Sequence, residues 1–164
     1  LTALKKSYDR QKLEEAASLL KEFDMPTMWF FIFGGPGETE ETIDESFDFI
    51  DRFVNPDDMV HMTEGLRVYP RTGLVKTALD EGLIGESDTL LDSVFYVSPS
   101  IGKRALANKI VKASRTRPNC VRAVDSTPDP EMIKQALNMR QEQGLTEPMF
   151  RTFLRIRRKR LAGA

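Results

Sequence analysis

Residues 28 to 33 read Met-Trp-Phe-Phe-Ile-Phe, and the next four are Gly-Gly-Pro-Gly. Six apolar residues without alternation predict a strand buried on both faces, as in a parallel sheet covered by helices. Gly34-Gly35-Pro36-Gly37 must end that strand. Glu38, Glu40 and Glu41, mixed with Thr39 and Thr42, then suit the positive end of a helix dipole. A strand, a tight turn and a helix start in direct succession place backbone N–H groups at the carboxyl end of a parallel strand. That is where α/β proteins bind their ligands.

The flanking sequence extends this unit. Leu13, Ala16, Ala17, Leu20 and Phe23 recur at helical spacing behind Asp9, a good N-cap. Asp24-Met25-Pro26 ends that helix, because the residue before a proline avoids the α region. Ile43, Phe47, Ile50 and Val54 mark the stripe of a second helix over about 39–54, capped by Thr39 or Thr42 and closed by Asn55-Pro56-Asp57. Met59 to Tyr69 reads as a second strand interrupted at Thr63-Glu64-Gly65. The order is helix, strand, helix, strand: a βαβ unit, expected to cross over right-handed, with a helix before it. After Pro70 a short helix ends at Gly82. Leu90 to Ser98, with Phe95-Tyr96-Val97, fits a strand or an ordered loop. Helices are expected over about 100–114, 129–143 and 146–161, punctuated by Pro118, Pro128, Pro130, Gly144 and Pro148. Two parallel strands make too small a sheet to stand alone. With a start at Leu1-Thr2-Ala3-Leu4, this points to a piece of a longer protein.

Bulk properties exclude several classes. The chain has 164 residues, 40% of them hydrophobic and 30% charged, with a net charge of −1. That is an ordinary globular composition without general attraction for nucleic acid. The charge is uneven: residues 38 to 58 hold nine acids and one base, and residues 151 to 160 hold six bases and no acid. No apolar run approaches a membrane span, and no stretch reads as an export signal. Cys120 is the single cysteine, which excludes an internal disulfide and a cysteine-built metal site within the chain. Cytoplasmic residence is the expectation.

The glycine turn is not a nucleotide P-loop, because the position that needs a phosphate-binding lysine holds Glu38, and the three-glycine Rossmann spacing is absent. Its glycines serve either a ligand or only the turn. Arg67 offers a bidentate fork to a carboxylate, or else a salt bridge to the acidic helix. Tyr69 can stack on a ring or fill the core. Glu64 is a weaker candidate, beside Gly65, which fits a bulge that re-aims side chains. His61 has no second histidine or cysteine pair and reads as a hydrogen-bonded strand residue rather than a ligand. Asp44, Asp48 and Asp51 read as a solvated helix face. The basic run Arg155 to Arg160 suits the last turn of a helix or a contact with RNA. Cys120 reads as a small buried hydrophobe.

Four blocks carry a family resemblance. FFIFGGPGETEET (Phe30 to Thr42) resembles the fifth-strand segment of radical S-adenosylmethionine (SAM) enzymes, where a hydrophobic strand runs into a Gly-x-Pro-Gly-Glu-Thr turn. Leu4 to Phe23, with Lys5-Lys6-Ser7 and Leu13-Glu14-Glu15-Ala16, resembles the helix before it. GLRVYPRTGLVKTALDEGLI (Gly65 to Ile84) resembles the sixth-strand segment and its short helix. DTLLDSVFYVSPSIG (Asp88 to Gly102) resembles the tail of the subgroup that carries an upstream cobalamin-binding domain. The blocks lie in family order and cover residues 1 to 102; residues 103 to 164 match no known block.

The resemblance implies an α/β fold. Residues 1–84 would form the C-terminal part of a partial (βα) barrel with parallel strands, and residues 85–164 a mainly helical extension. It implies that Gly34, Gly35, Glu38, Arg67 and Tyr69 line a cofactor and substrate pocket, with Glu38 either shaping that pocket or serving only as a helix N-terminal carboxylate. The parent enzyme would use SAM, a 4Fe–4S cluster and, in this subgroup, cobalamin, for radical or methyl-transfer chemistry on an unreactive carbon of a small-molecule substrate. The Cys-x3-Cys-x2-Cys cluster loop is absent from this chain, so the cluster and the N-terminal half would lie elsewhere in the protein and the chain alone would be inactive. A cut barrel exposes a strand edge, so self-association is expected. The alternative is a non-enzymatic α/β interaction module whose basic C-terminal helix binds RNA or a protein.

Overall fold

The computed structural model describes residues 7–163. The Leu1 start and the Lys5-Lys6 portion of the first helical block lie outside the described residues. Six helices and five strands follow in the order α1 (Arg10–Glu22), β1 (Met28–Phe33), α2 (Glu40–Phe53), β2 (Met59–Glu64), β3 (Leu66–Arg67), α3 (Gly73–Asp80), β4 (Phe95–Tyr96), α4 (Lys103–Thr116), β5 (Cys120–Arg122), α5 (Pro130–Gln143) and α6 (Met149–Ala162). β1, β2 and β5 form one parallel sheet in that spatial order, and β3 pairs antiparallel with β4. The chain is thus mixed α/β with three parallel strands in one sheet. No helix among the described residues is long and apolar enough to cross a membrane.

Side chains alternate across the sheet, so residues in register share a face. Trp29, Phe31, Phe33, Val60, Met62 and Cys120 turn to one face and pack with Ile43, Phe47, Phe49 and Ile50 of α2, Leu106 and Ile110 of α4, and Leu13 and Ala17 of α1. This is the main core. The opposite face is covered only in part: Met59 and Val121 pack under Leu154 and Phe150 of α6. The rest of that face is open, with Phe30 at 68% and Ile32 at 54% exposure. The expectation that Met28–Phe33 is buried on both faces therefore fails. Its lack of alternation reflects two apolar faces, of which only one has a helical cover among the described residues.

Two anchors hold the periphery. Tyr96 of β4 is fully buried beside Val68 and Ala78, and its hydroxyl donates to Glu81 at 2.8 Å. Burial, and then Glu81, push its phenol up to about 12. The second anchor is Arg151 of α6. It donates to Asp24 at 2.8 Å, after α1, and to Asp58 at 3.0 Å, before β2. Asp58 is buried and also accepts from the Thr27 backbone N–H at 3.0 Å.

β4 and β5 both come from residues 85–164, and each pairs with a strand from residues 1–84, so the two segments share their sheets.

Candidate functional site

The glycine turn lies at the carboxyl end of β1, as its residues dictate. Gly34 has φ +93°, and a Cβ there would stand 3.0 Å from Leu106 Cδ2 and 3.4 Å from Val97. The positive φ favours glycine at this position, and a Cβ would in addition push the Leu106 side chain aside. Gly35 is less constrained: an added Cβ would meet only Leu66, at an ordinary 3.7 Å. Thr39 caps α2 through a reciprocal box, donating its N–H to Thr42 Oγ1 at 3.0 Å while Thr42 N–H reaches Thr39 Oγ1 at 3.4 Å.

Two backbone donors of the turn, the N–H groups of Gly34 and Gly35, are already engaged. Glu38 Oε2 accepts from the N–H of Gly34 and, at 2.8 Å, from the N–H of Gly35. The carboxylate fills the anion position that a ligand would otherwise take at this strand end. Burial raises the Glu38 carboxyl above its ordinary value, against the opposing pull of the Gly35 and Gly34 hydrogen bonds. Glu38 therefore closes the turn rather than reaching outward. A groove of about 860 Å³ runs past it, bounded by Tyr8, Arg10, Phe31, Pro36, Glu38 and Thr42 among others.

β3 begins at this lip, since Leu66 lies against Gly35. Gly65, with φ +80° and Tyr96 O only 3.0 Å from a would-be Cβ, lets the chain leave the parallel sheet and pair with β4. Its N–H still holds Phe33 O at 2.7 Å, so the departure is anchored to β1. Arg67, on β3 rather than on β2, stacks its guanidinium 4.9 Å from the Tyr69 ring centroid. Tyr69 is 53% exposed, so it is a rim residue and not core. Among the described residues Arg67 has no carboxylate within ion-pair distance, and neither Arg67 nor Tyr69 is bonded to Glu38. The five residues thus divide into a closed turn and a cation–aromatic rim beside it.

Two further groups lie on this sheet, one at its carboxyl end and one in the middle of β2. Glu64 closes β2 and faces Arg122 of β5 at 3.9 Å, with Asp125 at 3.7 Å on the other side of that arginine. Sequence reading missed Arg122, because a strand of three residues is too short to show a period. His61 tilts against Phe30 with ring centroids 5.2 Å apart on the open face. Its Nδ1 is buried without a hydrogen-bond partner among the described residues, so the expected strand hydrogen bond is missing at that atom. Among the described residues no cluster of histidine, cysteine and carboxylate side chains could hold a metal. Cys120 is buried, and burial pushes its thiol up to about 12, which disfavours the thiolate that ligation or attack requires.

Comparison with known proteins finds no matching family model, no similar curated protein and no similar solved structure.

Proposed function

We propose that this chain is the C-terminal part of a radical SAM enzyme, of the cobalamin-dependent subgroup, in which β1 and β2 are inner staves of a partial (βα) barrel. The observation that carries the reading is the one-sided cover of β1. Helices pack on one face of a parallel strand that ends in Gly-Gly-Pro-Gly-Glu-Thr, while the other face leaves Phe30 and Ile32 open. A barrel strand has this asymmetry, with helices outside and an interior closed by its neighbours. Among the described residues β1 also stands at the edge of its sheet, where an upstream strand would pair.

The residues present do not fit the iron–sulfur cluster. One buried thiol cannot replace a three-cysteine loop. The cluster belongs to the N-terminal half, and no step through it is assigned to this chain. Toward SAM and the small-molecule substrate, the chain contributes the open apolar strand face, the Arg67–Tyr69 rim and the turn that Glu38 shapes. Glu38 itself does not ligate, because both of its glycine donors hold it inward.

The rival reading, an RNA-binding or protein-docking module led by the basic helix, is weakened because four of the six bases of α6, Arg151, Arg155, Arg158 and Arg160, lie within ion-pair distance of carboxylates of the same chain, which leaves Arg157 and Lys159 without such a partner among the described residues.

The test is the coding sequence directly upstream, followed by expression of the joined polypeptide. The upstream segment is expected to carry the three-cysteine loop, and the joined protein to bind a 4Fe–4S cluster and cleave SAM to 5′-deoxyadenosine or consume it in methyl transfer. The chain by itself is expected to bind SAM more weakly than micromolar by calorimetry. An upstream segment without the cysteines would end the proposal.

A further inference from the structure

A second cavity, away from the glycine turn, lies where α6 and the start of α5 close over the partly covered sheet face. Its volume is about 160 Å³. Met59, Val121, Met132, Phe153 and Leu154 supply apolar walls, and Arg157 supplies the one cation. Asp125, Ser126, Thr127 and Asp129 form a polar rim, and by volume alone a cavity of roughly 150 Å³ can hold a single six-membered ring.

Arg157 is unlike the other arginines of α6. Those four each meet a carboxylate. Arg157 receives only neutral carbonyls: its Nε donates to Pro118 O at 3.1 Å and its Nη2 to Ser114 O at 2.9 Å. Its Nη1 has no partner among the described residues, and no carboxylate there lies within ion-pair distance. A half-buried guanidinium held by dipoles alone lacks the counter-charge that normally offsets its desolvation. The two acids of the lining do not provide it. Asp125 lies 3.7 Å from Arg122, and Asp129 caps Met132 N–H at 2.6 Å and lies 3.5 Å from Arg160. Each of these acids thus has an arginine other than Arg157 within ion-pair distance, and both are about half exposed, so Arg157 is the charged group of the described lining without an opposite charge beside it.

We propose that this cavity binds a small aromatic or short-chain carboxylate, its apolar body between Met132, Phe153 and Val121 and its carboxylate on Arg157 Nη1. The site is independent of the SAM-enzyme reading, since it uses none of the residues at the glycine turn.

The experiment titrates the full chain with benzoate and with its neutral isostere benzamide, following the methionine methyl resonances by NMR. Benzoate is expected to shift Met59 and Met132 saturably. Benzamide is expected to bind about tenfold more weakly, the loss of one charge-assisted contact. Arg157→Met should bring the two affinities together. Because Arg157 also holds the Pro118 and Ser114 carbonyls, Met132→Trp serves as a second variant that fills the cavity from α5 and should abolish both responses. Equal affinity of the wild-type chain for acid and amide, an unchanged response in Met132→Trp, or no saturable shift would each overturn the assignment.

Discussion

Removing Asp58 should cost this fold far more than removing Asp24, although both carboxylates hold the same guanidinium. Arg151 has only 8% of its side chain exposed, Asp58 2% and Asp24 68%. Asp58→Ala leaves a buried cation with one partner in solvent, where screening is strong. It also strips the Thr27 N–H of its acceptor. Breaking a buried pair in this way costs about 3–5 kcal/mol. In a protein of this length that corresponds to a fall of roughly 6–20 °C in Tm. Asp24→Ala should cost a small fraction of that, because its carboxylate is already hydrated and Asp58 remains. Arg151→Met combined with Asp58→Leu, which removes both buried charges, should recover much of the loss. Urea denaturation of the three variants at neutral pH is the assay. Equal losses for Asp24→Ala and Asp58→Ala would refute the argument from burial. So would a double variant no more stable than Asp58→Ala.

Other predictions test the glycine turn and the open strand. Gly34→Ala should destabilise by about 1–3 kcal/mol, from a strained positive φ and the close approach of Leu106; a loss within experimental error in urea would contradict the geometry. Glu38 has its folded pKa raised, chiefly by burial. Its folded form binds the proton more tightly than the unfolded chain, so its contribution is full below the unfolded pKa and is lost as pH rises through the folded one. Glu38→Gln should therefore flatten the fall in stability across that window, and an unaltered slope would count against the assignment. The edge and open face of β1 should make the chain self-associate at high concentration. Phe30→Lys with Ile32→Glu should leave a monomer in sedimentation, and strictly monomeric behaviour of the unaltered chain would dismiss this surface.

The strand, the glycine turn and the helix after it were legible from residues 28 to 54 because each is specified by neighbours. An unbroken apolar run, a φ that favours glycine and a reciprocal threonine cap all act within a few positions. Helix boundaries from periodicity fell within a few residues for the same reason: α2 was expected over about 39–54 and spans Glu40–Phe53. What local reading lacked was partnership. β5 is three residues long and exists because β2 offers it hydrogen bonds from some sixty positions earlier. The basic run of α6 looks like a free cationic stripe until Asp24, Asp57, Asp58, Asp129 and Glu147 are brought to it.

At the candidate site the division is the same. The sequence specified where Gly34, Gly35 and Glu38 would lie along the chain, and that they would meet at a strand end. Only the tertiary structure decided that the Glu38 carboxylate folds back onto the glycine N–H groups, that Arg67 and Tyr69 stand apart on the rim of a second small sheet, and that one apolar face of β1 has little cover among the described residues. The physical reason is range. Torsional preference and capping are settled between adjacent residues, whereas burial, ion pairing and the cover of a sheet face depend on which distant segments pack together.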